Sequence, residues 1–297
     1  MSPGAPPSLT TMSEQLLKLD GTELCVERFG SPTAPTVLLI AGGAQSMVWW
    51  EDAFCARIAE AGRRVVPYDH RDTGRSTSSP PGRPSYTSHD LATDPLRILD
   101  ALGGGRAHLV GLSMGGGIAQ RIALEHPERV STLCLISTSP AVPAEHDRGL
   151  PPPAPRVMAA FTDPDPEPDW TDRDAAVAYR TEVERPFAGD IGFDEPRQRR
   201  LAALEVDRTR SMAASMTNHF VLEDDSPTGA RLDRITAPTL VMHGTTDPMF
   251  PMAHGRALAE EITGARFVPL PGVGHQQPPP EQWDVVVSAI VGHTEQS

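Results

Sequence analysis

Short apolar runs alternate with amphipathic stretches through the first half of the chain. Runs at 22–28, 36–40, 64–68, 107–111 and 132–137 have the length and β-branched content of strands. Between them, apolar positions recur at helical spacing over 49–62, 89–102 and 114–126. After a long interval the strand signal returns at 239–243 and 265–270, followed by helical patterns at 252–262 and 280–293. Runs such as Val37-Leu38-Leu39-Ile40 are apolar on both faces, which predicts a mostly parallel sheet covered on each side by helices. The beginning and the end of the chain then belong to one α/β sheet.

The stretch between them, 139–231, reads differently. It carries proline-rich segments at 151–153 and 164–168 and helical patterns near 172–184 and 195–217. An insertion at this point of an open α/β sheet would sit over the strand C-termini, where such sheets place their ligands. The expected organisation is therefore a disordered lead-in over 1–13, a core formed by 14–138 with 232–297, and an inserted helical cap over 139–231 that sets substrate choice. No internal repeat interrupts this pattern.

Charge and composition narrow the function classes. The chain has 297 residues and a formal net charge of -13, an acidic balance that argues against nucleic acid or a basic membrane-binding patch. Cys25, Cys55 and Cys134 lie far apart among apolar residues, so neither a disulfide framework nor a metal site is expected, and a reducing cytoplasm fits. Residues 1–11 carry no lysine, arginine or apolar run of the kind a leader needs. The remaining expectation is a small-molecule enzyme, monomeric or homodimeric, without a cofactor.

The chemistry enters at Gly111-Leu112-Ser113-Met114-Gly115, a GxSxG sequence between an apolar run and a helical pattern. A serine on so sharp a strand-to-helix turn stands clear of the sheet, and the Met114 N–H at the helix start points toward the same spot. A bare serine is a weak nucleophile at neutral pH and needs a base. His275, in the glycine-rich turn after the last strand signal, is the candidate base. Asp247, in the loop leaving 239–243, is the candidate partner for its Nδ1. The order Ser113, Asp247, His275 follows that of one hydrolase architecture.

Other positions follow from these three. A second oxyanion donor is expected from Gly43, in the glycine-containing turn after 36–40, beside Met114. Gln45, Trp50, Phe161, Phe220 and Met249 are candidate substrate-lining residues. The polar run 68–76 is expected to be a hydrogen-bonded scaffold beneath the site rather than part of the chemistry.

On the runs Tyr68-Asp69-His70-Arg71-Asp72-Thr73-Gly74-Arg75-Ser76 and Val110-Gly111-Leu112-Ser113-Met114-Gly115, the chain resembles the α/β-hydrolase superfamily. Within it, the chain is most similar to the aclacinomycin methylesterase group of bacterial polyketide esterases. The resemblance implies a cofactor-independent esterase acting through an acyl-enzyme, with Ser113, Asp247 and His275 as triad and Gly43 with Met114 as oxyanion hole. The substrate so implied is a methyl ester, or another ester, of a bulky secondary metabolite. Ala41-Gly42-Gly43 departs from the His-Gly start of many members. A serine nucleophile leaves open a lactonase, a carbon–carbon bond hydrolase, a perhydrolase, or a non-hydrolytic cyclase or ligand-binding protein of the same fold.

Overall fold

The apolar runs become the strands of one sheet. In the computed structural model, which describes residues 12–142, 148–223 and 230–295, β1 (Met12–Leu19) and β2 (Thr22–Arg28) form an antiparallel hairpin. Six strands then pair in parallel: β3 (Thr36–Ile40), β4 (Arg64–Pro67), β5 (Ala107–Leu112), β6 (Val130–Ile136), β7 (Thr239–Gly244) and β8 (Arg266–Leu270), in the spatial order β4-β3-β5-β6-β7-β8. Isolated antiparallel bridges, Val26 to Tyr68 and Phe29 to Val65, attach β2 to the edge strand β4. The hairpin turns at Asp20-Gly21, both at positive φ (39° and 87°), the backbone that a tight two-residue turn between right-twisted strands demands.

Successive side chains of the parallel strands feed two separate cores, as strand periodicity requires. Leu38, Ile40, Leu109, Leu133 and Val241 face one core, which is closed by α2 (Ser88–Ala101), α3 (Met114–Glu125) and α8 (Ala253–Glu261). Val37, Leu39, Val110, Cys134 and Met242 face the other, which is closed by α1 (Asp52–Glu60) and α9 (Trp283–Thr294). Cys25, Cys55 and Cys134 are buried and free. Among the described residues no helix is long and apolar enough to cross a membrane.

The chain leaves the sheet at the C-terminal end of β6 and re-enters at β7. Between them lie α4 (Pro155–Thr162), α5 (Arg173–Glu182), α6 (Glu195–Arg208) and α7 (Met212–Thr217). The helical pattern at 195–217 is two helices rather than one. Thr209 leaves the helix with ψ 131°, and the Ser211 hydroxyl accepts from Ala214 N–H to start α7. β1 and α4 had no counterpart among the sequence expectations, and β1 begins inside the stretch 1–13 expected as a lead-in, of which residues 1–11 lie outside the described residues.

Buried ion pairs seat these helices on the sheet. Arg208 of α6 donates to Asp69 (2.6 Å), Arg197 to Glu51 (2.8 Å), and Arg180 of α5 to Glu205 of α6 (2.6 Å). Asp69 also accepts Met47 N–H and Arg75 N–H, while Asp72 accepts from Tyr86 Oη and Asn218 Nδ2. The polar run 68–76 is thus a hydrogen-bonded scaffold joining strands, loops and the intervening helices.

Candidate active site

Ser113 occupies the single residue between β5 and α3, with φ 52° and ψ −118°. A side chain in this region costs roughly 1–3 kcal/mol and persists only where the surroundings hold it. The surroundings do so from both sides. Ser113 N–H donates to Ile136 O (3.0 Å), and Thr138 Oγ1 donates to Ser113 O (2.8 Å). Glycine is obligatory around it for a steric reason. A methyl on Gly111 would strike the Gly115 carbonyl, and one on Gly115 would strike the Ile40 and Ala41 carbonyls. Helix α3 can therefore pass close over β3 and β5 only with glycine at these places.

His275 and Asp247 come from the loops after β8 and β7 and complete a hydrogen-bonded chain with the serine. His275 Nδ1 lies 2.9 Å from Asp247 Oδ2, and His275 Nε2 lies 2.9 Å from Ser113 Oγ. A carboxylate can only accept, so Nδ1 carries the proton and Nε2 is left as acceptor for the serine hydroxyl. Asp247 Oδ1 accepts Met249 N–H (2.9 Å) and Phe250 N–H (2.8 Å), which fixes the carboxylate plane. Burial works to raise the Asp247 carboxyl. The attraction and hydrogen bond of His275, with His243 and the Phe250 amide, outweigh it and hold the group below its ordinary range. His243 stands behind, its Nε2 donating to Phe250 O (2.7 Å), and burial lowers its own pKa. It is a second imidazole neighbour of the carboxylate, its Nε2 3.7 Å from Asp247 Oδ2.

Two backbone amides are the expected oxyanion donors. Met114 N–H opens α3, and Gly43 N–H lies in the loop after β3; neither makes a hydrogen bond among the described residues. A methyl built on Gly43 would lie 3.7 Å from Met114 Sδ and 3.4 Å from the Phe220 ring, so the loop after β3 packs against both side chains. The neighbours of Gly43 are occupied: Gly42 N–H donates to Gln45 Oε1 and Ala44 N–H to His219 Nδ1.

The candidate lining residues separate into three groups. Phe161 of α4 and Phe220 are exposed (47% and 56%) and meet edge-to-face at 6.1 Å. Met249 is half-buried next to Asp247. Gln45 is buried and locked in reciprocal bonds with Gln277, two residues beyond His275, so it ties the two loops together instead of offering a free amide. Trp50 does not reach the site. It is 2% exposed and stacks on Phe54 at 5.8 Å in the core beneath α1 and α9.

Two further aromatic rings stand against His275, Phe250, which the sequence offers as a pocket aromatic, and Phe187, which it does not. Phe250 meets the His275 ring edge-on at 5.2 Å, and Phe187 lies 5.9 Å from it and 6.1 Å from Phe161. Phe250 was legible as the apolar residue shortly after Asp247; Phe187 carries no sequence signal, since it lies in an irregular stretch far from every strand. A cavity of about 310 Å³ opens beside Met114, walled by Leu91, Ala92, Ile118, Leu222 and His219. The arrangement can activate a hydroxyl, and a largely apolar cavity opens at the next residue along the chain.

Comparison with known proteins agrees with this fold. The alpha/beta hydrolase fold family matches residues 35–277. The chain is 34% identical to a rhodomycin D methylesterase of Streptomyces sp. (strain C5), over 95% of this chain and 98% of that one. Among solved structures, a hydrolase from Pseudomonas aeruginosa PA01 is 27% identical with a TM-score of 0.68, covering 99% of this chain and 100% of the other. The enol-lactonase from Burkholderia xenovorans LB400 is 26% identical with a TM-score of 0.69, covering 95% and 100%.

Proposed function

The chain belongs to the alpha/beta hydrolase fold family, and we propose that it is a serine carboxylic-ester hydrolase whose substrate is a methyl ester, or another ester, of a bulky apolar secondary metabolite. One observation carries the reading: the unbroken hydrogen-bonded chain from Ser113 Oγ through His275 to Asp247. The substrate class rests on the similarity to a rhodomycin D methylesterase and on the largely apolar cavity beside Met114.

In this reading Ser113 Oγ attacks the ester carbonyl carbon while its proton passes to His275 Nε2. The tetrahedral oxygen accepts from Gly43 N–H and Met114 N–H, fixed dipoles that need no reorganisation as charge develops. Asp247 holds the Nδ1 tautomer and stabilises the imidazolium. Collapse expels the alcohol, which takes the proton from His275. Water then attacks the acyl-Ser113, with His275 as base, and releases the acid. Polyketide-sized substrates meet the aromatic group that begins at His275, with Phe250 and Phe187 against its ring and Phe161 and Phe220 beyond, where edge-to-face rings suit a flat aromatic partner.

Hydrolysis of p-nitrophenyl acetate, butyrate and octanoate by wild type and Ser113→Ala tests the reading. Turnover by the wild type that is lost in the variant is expected; equal rates in both would refute it. The likeness to an enol-lactonase supports a second reading, since a lactone is an internal ester open to the same attack. A panel pairing methyl esters with lactones of similar size separates the two.

A further inference from the structure

Four amides of the loop after β3, those of Gly42, Ala44, Ser46 and Met47, are each held by a side chain, and two of the holders come from the segment between β6 and β7. Ala44 N–H donates to His219 Nδ1 (3.1 Å), and Ser46 N–H donates to Glu205 Oε1 (2.7 Å). His219 spans 175 residues of sequence to make its contact. It is buried, and its partners fix its tautomer. An amide N–H can only donate, so Nδ1 is unprotonated, and Nε2–H donates to Arg71 O (2.8 Å).

A second observation falls on the same residue. Ala44 has φ +56°, in the left-handed region that a side chain adopts only when held there. The amide that His219 receives is the amide of this strained residue, and the preceding residue is Gly43, whose N–H has no partner among the described residues. Release of Ala44 would let the turn relax and re-aim the Gly43 amide one residue away.

We infer that His219 is a positioning residue: it holds Ala44 in its left-handed turn so that Gly43 N–H faces the carbonyl oxygen of a substrate at Ser113. The inference rests on the hydrolase reading above and deepens it, because the segment between β6 and β7 then helps to build the catalytic loop. Losing the Nδ1 acceptor weakens a contact made with the charge of the transition state, so the loss falls on kcat and leaves KM largely intact.

Three substitutions separate the two nitrogens. His219→Asn keeps an acceptor near the Nδ1 position, His219→Gln moves the polar atoms out to the Nε2 position beside Arg71 O, and His219→Leu removes both. With p-nitrophenyl butyrate, His219→Gln and His219→Leu are expected to lose about 10- to 100-fold in kcat with KM changed less than about threefold. His219→Asn recovers most of that loss. Inhibition by a trifluoromethyl ketone, whose serine adduct carries the oxyanion, weakens by the same factor as kcat/KM. Equal losses in the Asn and Gln variants, full kcat in the Gln variant, or a loss confined to KM would each overturn the inference. If the Leu variant does not fold, the Asn and Gln pair still decides. Ser113→Ala is assayed alongside: turnover that survives in it ends the hydrolase reading and this inference together. A silent Ser113→Ala beside a fully active His219→Gln ends the inference alone.

Discussion

At the scale of single residues, the site is a matter of which proton sits where. The Nδ1–H of His275 is committed to Asp247, a carboxylate already held by two amides and kept below its ordinary pKa. Asp247→Asn would keep the size but offer an amide that can stabilise the wrong tautomer, and kcat should fall by about 10⁴-fold with the fold intact. Steady-state kinetics with a thermal melt checks both halves. A drop of less than tenfold would mean that another carboxylate or no carboxylate serves His275. The triad positions were legible in the sequence because each stands in a short loop directly after an apolar run. His219 and Phe187 were not, since a residue that acts across the fold leaves no local pattern. Trp50 misled for the related reason that an aromatic in a loop does not announce which way it turns, and here it turns inward onto Phe54.

At the scale of elements, the approach of α3 to the sheet is set by glycines whose roles differ. Gly115→Ala would drive a methyl into the β3 carbonyls and should destabilise by about 1–3 kcal/mol or more. Gly117, on the same helix, has only Ala141 Cβ at 3.5 Å, so Gly117→Ala should stabilise by about 0.5–1 kcal/mol. Urea denaturation of the pair gives opposite signs in this account, and the same sign in both would contradict it. The intervening helices are seated by a different device. Arg208→Met would leave Asp69 buried without its cation, at a cost of about 3–5 kcal/mol in the same experiment. That device also explains what the sequence concealed. Helix α6 reads as a solvated, highly charged face, yet Arg197, Glu205 and Arg208 are buried in pairs with residues far away in the chain. Strands β3, β5, β6 and β7, buried by plain apolar side chains, were legible; β1, with Glu14, Gln15 and Lys18 on an edge hairpin, was not.

Across the whole molecule, buried neutral histidines couple stability to pH. Burial pushes His70 down to about 3 and, with nearby Arg63, His293 and Arg106 adding to it, His108 to about 4, from an ordinary value of 6.5. Below 6.5 the unfolded chain binds protons that the folded chain refuses, so stability is full above that pH and is lost as the pH falls toward those values. Each such histidine contributes a slope of about 1.4 kcal/mol per pH unit. Asp247 adds a loss of the same sign only at lower pH, through its depressed folded value. Denaturation curves at pH 7.5, 6 and 5 should show a falling midpoint, and His70→Asn should flatten the slope. A midpoint constant over that range would mean the histidines are charged or solvated in the fold.

The catalytic expectations depend on Ser113 Oγ being the atom that takes the acyl group. Acid-quenching the enzyme during turnover of p-nitrophenyl acetate and mapping the modified peptide by mass spectrometry tests that directly. An acetyl group on Ser113, absent from Ser113→Ala and accumulating more in a variant slow at deacylation, is the predicted result. Turnover with no acyl group on Ser113, or an acyl group that persists elsewhere in Ser113→Ala at undiminished rate, would contradict it.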